Sequence, residues 1–268
     1  MTLWAIDSHV HFHDCFDEGL FFDSCFNNMS SISYSVIKDG FLFFTEGRNE
    51  DSYNYLHRIK EIKNPLSGEI FTVKDLENGN SIEVKSVKRG MRVIIFPGYQ
   101  IVTKENLEVL SLGTQKRLSD GLLIEDTISS VLSLGGIPVL PWGFGKWFGN
   151  RGKKIEELIK KKMQNLFLGD NGGRSALLPY PNQFNLAEAN GMKVLPGSDP
   201  LPFPQEAKRP MSYGFIFNIN FDELNPWESV KKSLLNNNLK IEKFGNLTSS
   251  PAFIKTQIAM QIKKRKKS

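Results

Sequence analysis

The chain of 268 residues contains little cysteine, with thiols only at Cys15 and Cys25. Two cysteines are too few for a disulfide framework, which excludes the small disulfide-stapled folds, and we expect both thiols to be reduced. No apolar run approaches the roughly 18 residues that a membrane-spanning helix needs. The first residues also lack the basic stretch and apolar core of a secretory leader. These absences exclude an integral membrane protein and predict a cytoplasmic location.

Several catalytic motifs are missing as well. The sequence has no Gly-x-Ser-x-Gly elbow for a nucleophilic serine, and no glycine-rich loop whose lysine is followed by serine or threonine. A dinucleotide-binding fingerprint is absent, and two cysteines with four histidines are a thin basis for a thiol enzyme. Nucleophilic catalysis and P-loop nucleotide chemistry are therefore disfavoured.

The excess of positive charge is confined to one end of the chain. The net charge of +5 comes from 34 basic and 29 acidic residues, and residues 263–268 alone hold five lysines and arginines. The rest of the chain is therefore neutral. A terminal basic run is typical of a solvated, frayed helix end. Docking of this tail on nucleic acid or on an acidic surface is the alternative, which the pattern favours less.

Hydrophobic residues make up 40% of the sequence and aromatic residues 11%, enough for a sizeable core. Short apolar runs alternate with helix-compatible segments, which predicts an α/β fold with a largely parallel sheet. A TIM-like barrel is the leading architecture, because polar turns follow several strands and would share one carboxyl rim. We expect a single domain over residues 1–268. Residues 69–102 are predicted to form a hairpin insertion, and residues 263–268 a basic C-terminal tail.

The strongest signal is a group of three histidines within residues 9–13. Alternate side chains of a strand share a face, so His9 and His11 point the same way, with Asp7 one layer below. Two imidazoles at this spacing can hold one transition-metal ion. The alternative is a polar barrel mouth whose imidazoles hydrogen-bond the backbone. His13 reads as a loop residue, and His57 as a surface or packing residue.

A carboxylate is needed to complete such a site. Asp199 is the best candidate, because it ends a late strand that a barrel would close against the first. An ordinary turn before Pro200 is the alternative for this aspartate. Glu46 follows another apolar strand and could add an oxygen, although an exposed loop glutamate is equally compatible with the pattern.

Two glycine-rich segments could bind an anion at the same rim. Residues 143–152 combine glycine and aromatic residues with Lys146 and Arg151, just before a predicted helix. In residues 169–174, Arg174 could bind a phosphate or carboxylate, and Asp170 could act as a general base or an extra ligand. The alternative for residues 143–152 is a mobile loop. The alternative for residues 169–174 is that Asp170 and Arg174 pair with each other and brace the turn.

Taken in chain order, these motifs resemble the PHP (polymerase and histidinol phosphatase) domain family of metal-dependent phosphoesterases. The matching segments are Asp7-Ser8-His9-Val10-His11, Thr45-Glu46-Gly47, Pro97-Gly98-Tyr99-Gln100, Gly135-Gly136-Ile137-Pro138-Val139-Leu140 and Gly197-Ser198-Asp199. The resemblance covers about residues 1–215. It implies a distorted seven-stranded (βα) barrel of the amidohydrolase-like type, with metal ligands at His9, His11 and Asp199.

The sequence departs from the family at other ligand positions. Glu46-Gly47 stands where the family has Asp-His, and Gln100 where it has a glutamate. Trp142 or a neighbour, and Leu201, replace two family histidines. A trinuclear cluster is therefore not expected. The remaining ligands predict one divalent transition metal (Zn, Mn, Fe or Ni) with open positions for water and substrate.

The resulting hypothesis is a phosphoesterase-like hydrolase that acts on a small phosphorylated substrate with a metal-activated water. Asp170 or Glu46 would act as the base. The groups expected to bind substrate are Lys146, Arg151, Arg174 and Gln100. The alternative is a catalytically degenerate PHP-like protein that binds an anionic ligand or a partner.

Overall fold

The computed structural model describes residues 2–33, 37–76 and 80–265. In these ranges the chain forms thirteen strands and seven α-helices. The strands are β1 (Thr2–Val10), β2 (Asp39–Phe44), β3 (Glu61–Asn64), β4 (Glu69–Leu76), β5 (Ser81–Ser86), β6 (Arg92–Phe96), β7 (Gly98–Val102), β8 (Glu108–Leu112), β9 (Ile137–Pro141), β10 (Phe167–Asn171), β11 (Val194–Gly197), β12 (Tyr213–Ile219) and β13 (Glu242–Gly245). The helices are α1 (Glu18–Ser30), α2 (Ser52–Arg58), α3 (Ile124–Ser133), α4 (Asn150–Lys160), α5 (Asn182–Ala189), α6 (Pro226–Leu235) and α7 (Ser250–Arg265).

The strands belong to two sheets of mixed direction. The first sheet has eight strands in the order β13-β12-β1-β2-β6-β5-β4-β3, and the second has five in the order β11-β10-β9-β8-β7. In the first sheet β1, β2 and β6 run parallel, whereas β12 and the β3–β5 segment pair antiparallel. In the second sheet β9, β10 and β11 are parallel, and β7 and β8 are antiparallel.

The core explains why β1 and β2 are almost continuously apolar. Alternate side chains of the two strands enter different hydrophobic clusters, as expected for a sheet buried on both faces. Trp4 and Phe41 pack toward the second sheet, against residues such as Val139. Leu42 and Phe44 pack on the opposite face, against the phenylalanines of α1. The outer face of the second sheet is covered by α3, α4 and α5.

The predicted barrel is wrong. Both edges of β1 are occupied, by the parallel β2 and by the antiparallel β12, so β11 has no free edge along which to pair. In the described part of the chain no ladder joins β11 to β1, and the two sheets stay open. The β3–β5 segment extends the first sheet sideways rather than adding a βα unit.

The C-terminal part of the chain forms the 16-residue helix α7. The predicted tail, residues 263–268, begins in its last turn, and residues 266–268 lie outside the described residues. No helix in the described ranges has the length and apolarity required to cross a bilayer.

Candidate metal centre

The end of β1 presents two imidazoles on one side of the sheet. His9 and His11 are 5% and 6% exposed, while Val10 between them points into the core. This alternation follows from the two-residue period of a strand. The two Nε2 atoms lie 3.2 Å apart.

Asp199 reaches these imidazoles because the end of β11 touches the end of β1. A Cβ added at Gly197 would lie 2.5 Å from the backbone nitrogen of His9, so only glycine allows this approach. The backbone N–H of Asp199 then donates to the carbonyl of His9 at 2.8 Å. Asp199 has φ of +46°, a left-handed conformation that aspartate tolerates better than most residues.

Asp7 holds this junction together from below. Its buried carboxylate accepts hydrogen bonds from the backbone N–H and the hydroxyl of Ser198, at 2.8 and 2.5 Å, and from the N–H of Met211 at 2.9 Å. Burial raises the pKa of Asp7 to about 6, although these hydrogen bonds oppose the shift. Asp7 is therefore a positioning residue for the segment that carries Asp199.

The three ligand atoms have the spacing of a metal site. Oδ1 of Asp199 lies 3.6 Å from His9 Nε2 and 3.7 Å from His11 Nε2. Ligands that bind zinc tetrahedrally at about 2.0–2.1 Å lie about 3.3 Å from one another, so small side-chain shifts would bring all three into contact with one ion. The histidine–aspartate cluster (His9, His11 and Asp199) thus fits the predicted donor set.

Glu50 contacts the cluster from the outside. Its Oε2 lies 3.4 Å from His11 Nδ1, and its Oε1 lies 2.5 Å from His13 Nδ1. When Nε2 of a histidine binds a metal, its Nδ1–H usually donates to a carboxylate, which fixes the ring and its tautomer. His11, His13 and Glu50 also form a compact group of ligand atoms. Because Nδ1 of His11 faces Glu50 while its Nε2 faces the cluster, Glu50 is placed to orient that ring.

The electrostatics of the cluster favour a cation. Burial lowers the pKa of His9 to about 4, so its imidazole is neutral and able to bind a metal at neutral pH. Burial opposes ionisation of Asp199, but attraction to the protonated forms of His9 and His11 outweighs the effect of burial and lowers the pKa of Asp199. Hydrogen bonds from His11 and His13 likewise overcome burial at Glu50 and hold its pKa well below the usual range.

A cavity of about 170 Å³ lies beside Asp199. Its polar lining includes Lys146, Arg209 and Asn171, and Nδ2 of Asn171 donates to Asp199. Lys146 pairs with Glu108, and Arg209 donates to the carbonyl of Ser198 at 3.1 Å. Both cations lower the pKa of Asp199, although by less than the two histidines do, and burial acts in the opposite direction.

Glu50, Arg209 and Asn171 also reach the site, although no sequence motif pointed to them. Glu50 lies four residues beyond Glu46 in a turn without periodicity, and Arg209 lies in a proline-rich loop after Asp199. Asn171 follows Asp170, and the two-residue period of β10 could have revealed that only one of them faces the cluster. For Glu50 and Arg209 the sequence offers no comparable signal.

The two predicted bases have other contacts. Glu46 is buried, and its Oε1 accepts from the backbone N–H of Tyr53 at the start of α2, at 2.6 Å. Burial raises the pKa of Glu46 to about 7, in the range that general bases use. Asp170 pairs with Arg174 at 3.0 Å and also accepts from Tyr213 at 2.7 Å. Catalytic roles for Glu46 and Asp170 stay predictions.

The other predicted substrate-binding residues lie outside the cavity lining. Arg174 is buried in its pair with Asp170. Arg151 donates to the carbonyls of Gly145 and Asn106, at 2.8 and 3.4 Å, and so braces the loop before α4. Gln100 lies on β7, where its carbonyl accepts from Arg117 at 3.3 Å. Of the four, Lys146 is the one that lines the cavity beside Asp199.

Known structures share this fold. The chain resembles PsfC from Pseudomonas syringae with a TM-score of 0.59 and 16% identity, covering 97% of this chain and 99% of that one. It resembles the lesion-specific endonuclease Q of Pyrococcus furiosus with a TM-score of 0.51 and 10% identity, covering 90% of this chain and 58% of that one. Endonuclease Q in complex with a 27-mer duplex that has an abasic lesion at the active site gives a TM-score of 0.50 and 10% identity, over 91% and 60% of the two chains.

These likenesses show that the chain shares its fold with PsfC and with endonuclease Q, and this shared fold is the part of the family resemblance that the comparisons support. The chain spans about three fifths of the endonuclease Q chains. No protein-family model and no curated protein matches the sequence.

Proposed function

We propose that the protein is a metal-dependent, phosphoesterase-type hydrolase with one divalent transition metal held by His9, His11 and Asp199. The observation that carries the proposal is the meeting of two imidazole Nε2 atoms and one carboxylate oxygen within 3.7 Å of one another, next to a cavity with a lysine and an arginine. The fold shared with an endonuclease is consistent with this reaction class.

A divalent ion at this position would supply Lewis-acid activation of water and of a phosphoryl oxygen. The residues of the chain do the rest. Glu50 keeps Nε2 of His11 turned toward the cluster through its contact with Nδ1. Lys146 and Arg209 are the cations that would receive the negative charge of the substrate and of its transition state.

Metal content tests the proposal. Protein purified without chelators and reloaded with Zn²⁺ or Mn²⁺ should bind close to one ion per chain, measured by inductively coupled plasma mass spectrometry. The double variant His9→Ala, His11→Ala should lose this ion and the hydrolysis of p-nitrophenyl phosphate. His57→Ala is the matched control, because His57 pairs with Asp75 away from the cluster.

The outcomes separate hydrolysis from binding. Metal binding and turnover that both disappear in the double variant and persist in His57→Ala would support the proposal. A folded wild-type protein that binds no metal would overturn it. A protein that holds one metal at the cluster but hydrolyses neither phosphate esters nor acyl esters would overturn the enzymatic part, and would favour the alternative of an anion-binding protein.

A further inference from the structure

The helix α7 lies over the cavity beside Asp199. At its first end, the hydroxyl of Ser250 contacts that of Ser175 at 2.8 Å, and the ring of Phe253 packs on Phe144 at 5.2 Å. At its other end, Nζ of Lys263 donates to the carbonyl of Pro202 at 2.5 Å. The helix is therefore held on both sides of the cavity and forms a roof over it.

The roof has an unusual distribution of side chains. The residues that α7 turns toward the cavity are Phe253, Thr256, Gln257, Met260 and Gln261. Its isoleucines, Ile254, Ile258 and Ile262, are more than half exposed. A surface helix normally buries its apolar stripe against the core. The polar residues of α7 facing inward indicate that this side of the helix covers a wet, ligand-accepting space.

The volume and charge of the cavity restrict its ligand. About 170 Å³ is below the roughly 300 Å³ at which pockets for drug-sized ligands begin. On the wall, the bases Lys146 and Arg209 face the acids Asp199 and Glu206, and Lys146 also pairs with Glu108 behind the wall, so the metal-free site has no net positive charge. A divalent cation at the cluster therefore adds the net positive charge that a dianion would meet.

From this arrangement we infer that the roofed cavity selects a compact phosphomonoester, whose dianion lies between Lys146 and Arg209, and that α7 excludes polynucleotides. The inference rests on the proposed function for the reaction class. The fold is shared with an endonuclease whose complex contains a 27-mer duplex, but in this chain α7 and Asp199 line the same small cavity, so a duplex would have to displace α7 to enter it.

The anion site formed by Lys146 and Arg209 can be tested without turnover. The measurement is the binding of inorganic phosphate to the zinc-loaded protein by calorimetry. Lys146→Met and Arg209→Met should each weaken phosphate binding at least about tenfold, the effect of losing one charge-assisted contact of about 1.4 kcal/mol. Lys154→Met is the matched control, because Lys154 also pairs with a glutamate, Glu125, but does not belong to the cavity lining. Metal content is measured on every variant.

Two tryptophan substitutions on α7 test the roof. Thr256→Trp fills the cavity side, whereas Ile258→Trp adds the same ring to the exposed side of the same helix. Thr256→Trp should lower kcat/KM for p-nitrophenyl phosphate at least about tenfold, and Ile258→Trp should leave it unchanged. The wild-type protein should neither cleave nor be inhibited by single-stranded DNA or a duplex with an abasic site.

Cleavage of either DNA at a kcat/KM above that of p-nitrophenyl phosphate would overturn the substrate inference and leave the proposed hydrolase intact. Equal phosphate affinity in Lys146→Met, Arg209→Met and Lys154→Met would overturn the anion site. If no ester is hydrolysed although metal is bound, the proposed function fails, and phosphate binding that depends on Lys146 and Arg209 would still support the anion site.

Discussion

Asp170 lies near the end of strand β10 and Asp199 lies just after the neighbouring parallel strand β11; both are largely shielded from solvent, yet their surroundings differ. Asp170 accepts from Arg174, Tyr213 and Lys243, at 3.0, 2.7 and 3.3 Å. Asp199 faces two imidazoles at 3.6 and 3.7 Å and accepts a hydrogen bond from the side-chain amide of Asn171. Asp170 has two permanent cations beside it, Arg174 and Lys243, whereas no lysine or arginine of the described residues lies within salt-bridge distance of Asp199.

The difference shows that the burial of a carboxylate does not by itself indicate a metal ligand. On β10, Asp170 and Asn171 point to opposite faces, and the asparagine reaches Asp199. An arginine at salt-bridge distance satisfies the charge of Asp170 within the protein. Among the described residues, the groups at salt-bridge distance from Asp199 are the two imidazoles, and Lys146 and Arg209 act on it from farther away, so an added cation would improve its electrostatic balance.

The largest effect on stability is expected from breaking the ion pair between Asp170 and Arg174. Asp170→Ala leaves Arg174 buried without its partner and should lower the free energy of unfolding by about 3–5 kcal/mol. Asp199→Ala removes a carboxylate with no such partner, so the metal-free protein should lose less than about 1 kcal/mol. Urea unfolding of both variants with chelator present measures the contrast. Similar losses in the two variants would remove the distinction between the two sites.

Glu46 supplies a third carboxylate for the comparison. Its pKa of about 7 in the folded protein lies above the ordinary value of 4.5, so the folded state binds more protons than the unfolded state between these values. Stability should therefore fall as pH rises from about 4.5 to about 7, by up to about 3 kcal/mol. Glu46→Gln keeps an acceptor for Tyr53 and should flatten this dependence. If the free energy of unfolding changes by the same amount between pH 5 and pH 8 in the wild type and in Glu46→Gln, the prediction is contradicted.

A smaller effect is expected at Glu50, which lies behind the ligand His11. Glu50→Gln should weaken metal binding about 10- to 100-fold without changing the number of ions per chain, because an outer-shell partner orients a ligand but does not bind the ion. Competition with a chromophoric chelator gives the affinities.

Glu83→Gln is the matched control, since Glu83 is 16% exposed against 15% for Glu50 but pairs with Arg92. Equal metal affinity in the two variants would show that Glu50 plays no part in orienting His11.

The sequence predicted the cluster better than the fold around it. The two-residue period of β1 correctly placed His9 and His11 on one face. Asp199 does lie beside them, although not through the expected barrel closure: the end of β11 touches the end of β1 without a ladder between these two described strands. The barrel could not be excluded, because the pairing of β1 with the antiparallel β12 depends on contacts more than 200 residues apart in sequence. Glu50 and Arg209 reach the site through turns that carry no periodic pattern, so only the tertiary structure reveals them.

One cation should bind between the imidazoles of β1 and the aspartate after β11. Anomalous diffraction from crystals grown with Zn²⁺ would locate it. One strong peak is expected at about 2.0–2.2 Å from His9 Nε2, His11 Nε2 and an oxygen of Asp199. A peak elsewhere in the molecule, or none at a metal concentration that saturates the protein, would contradict this expectation.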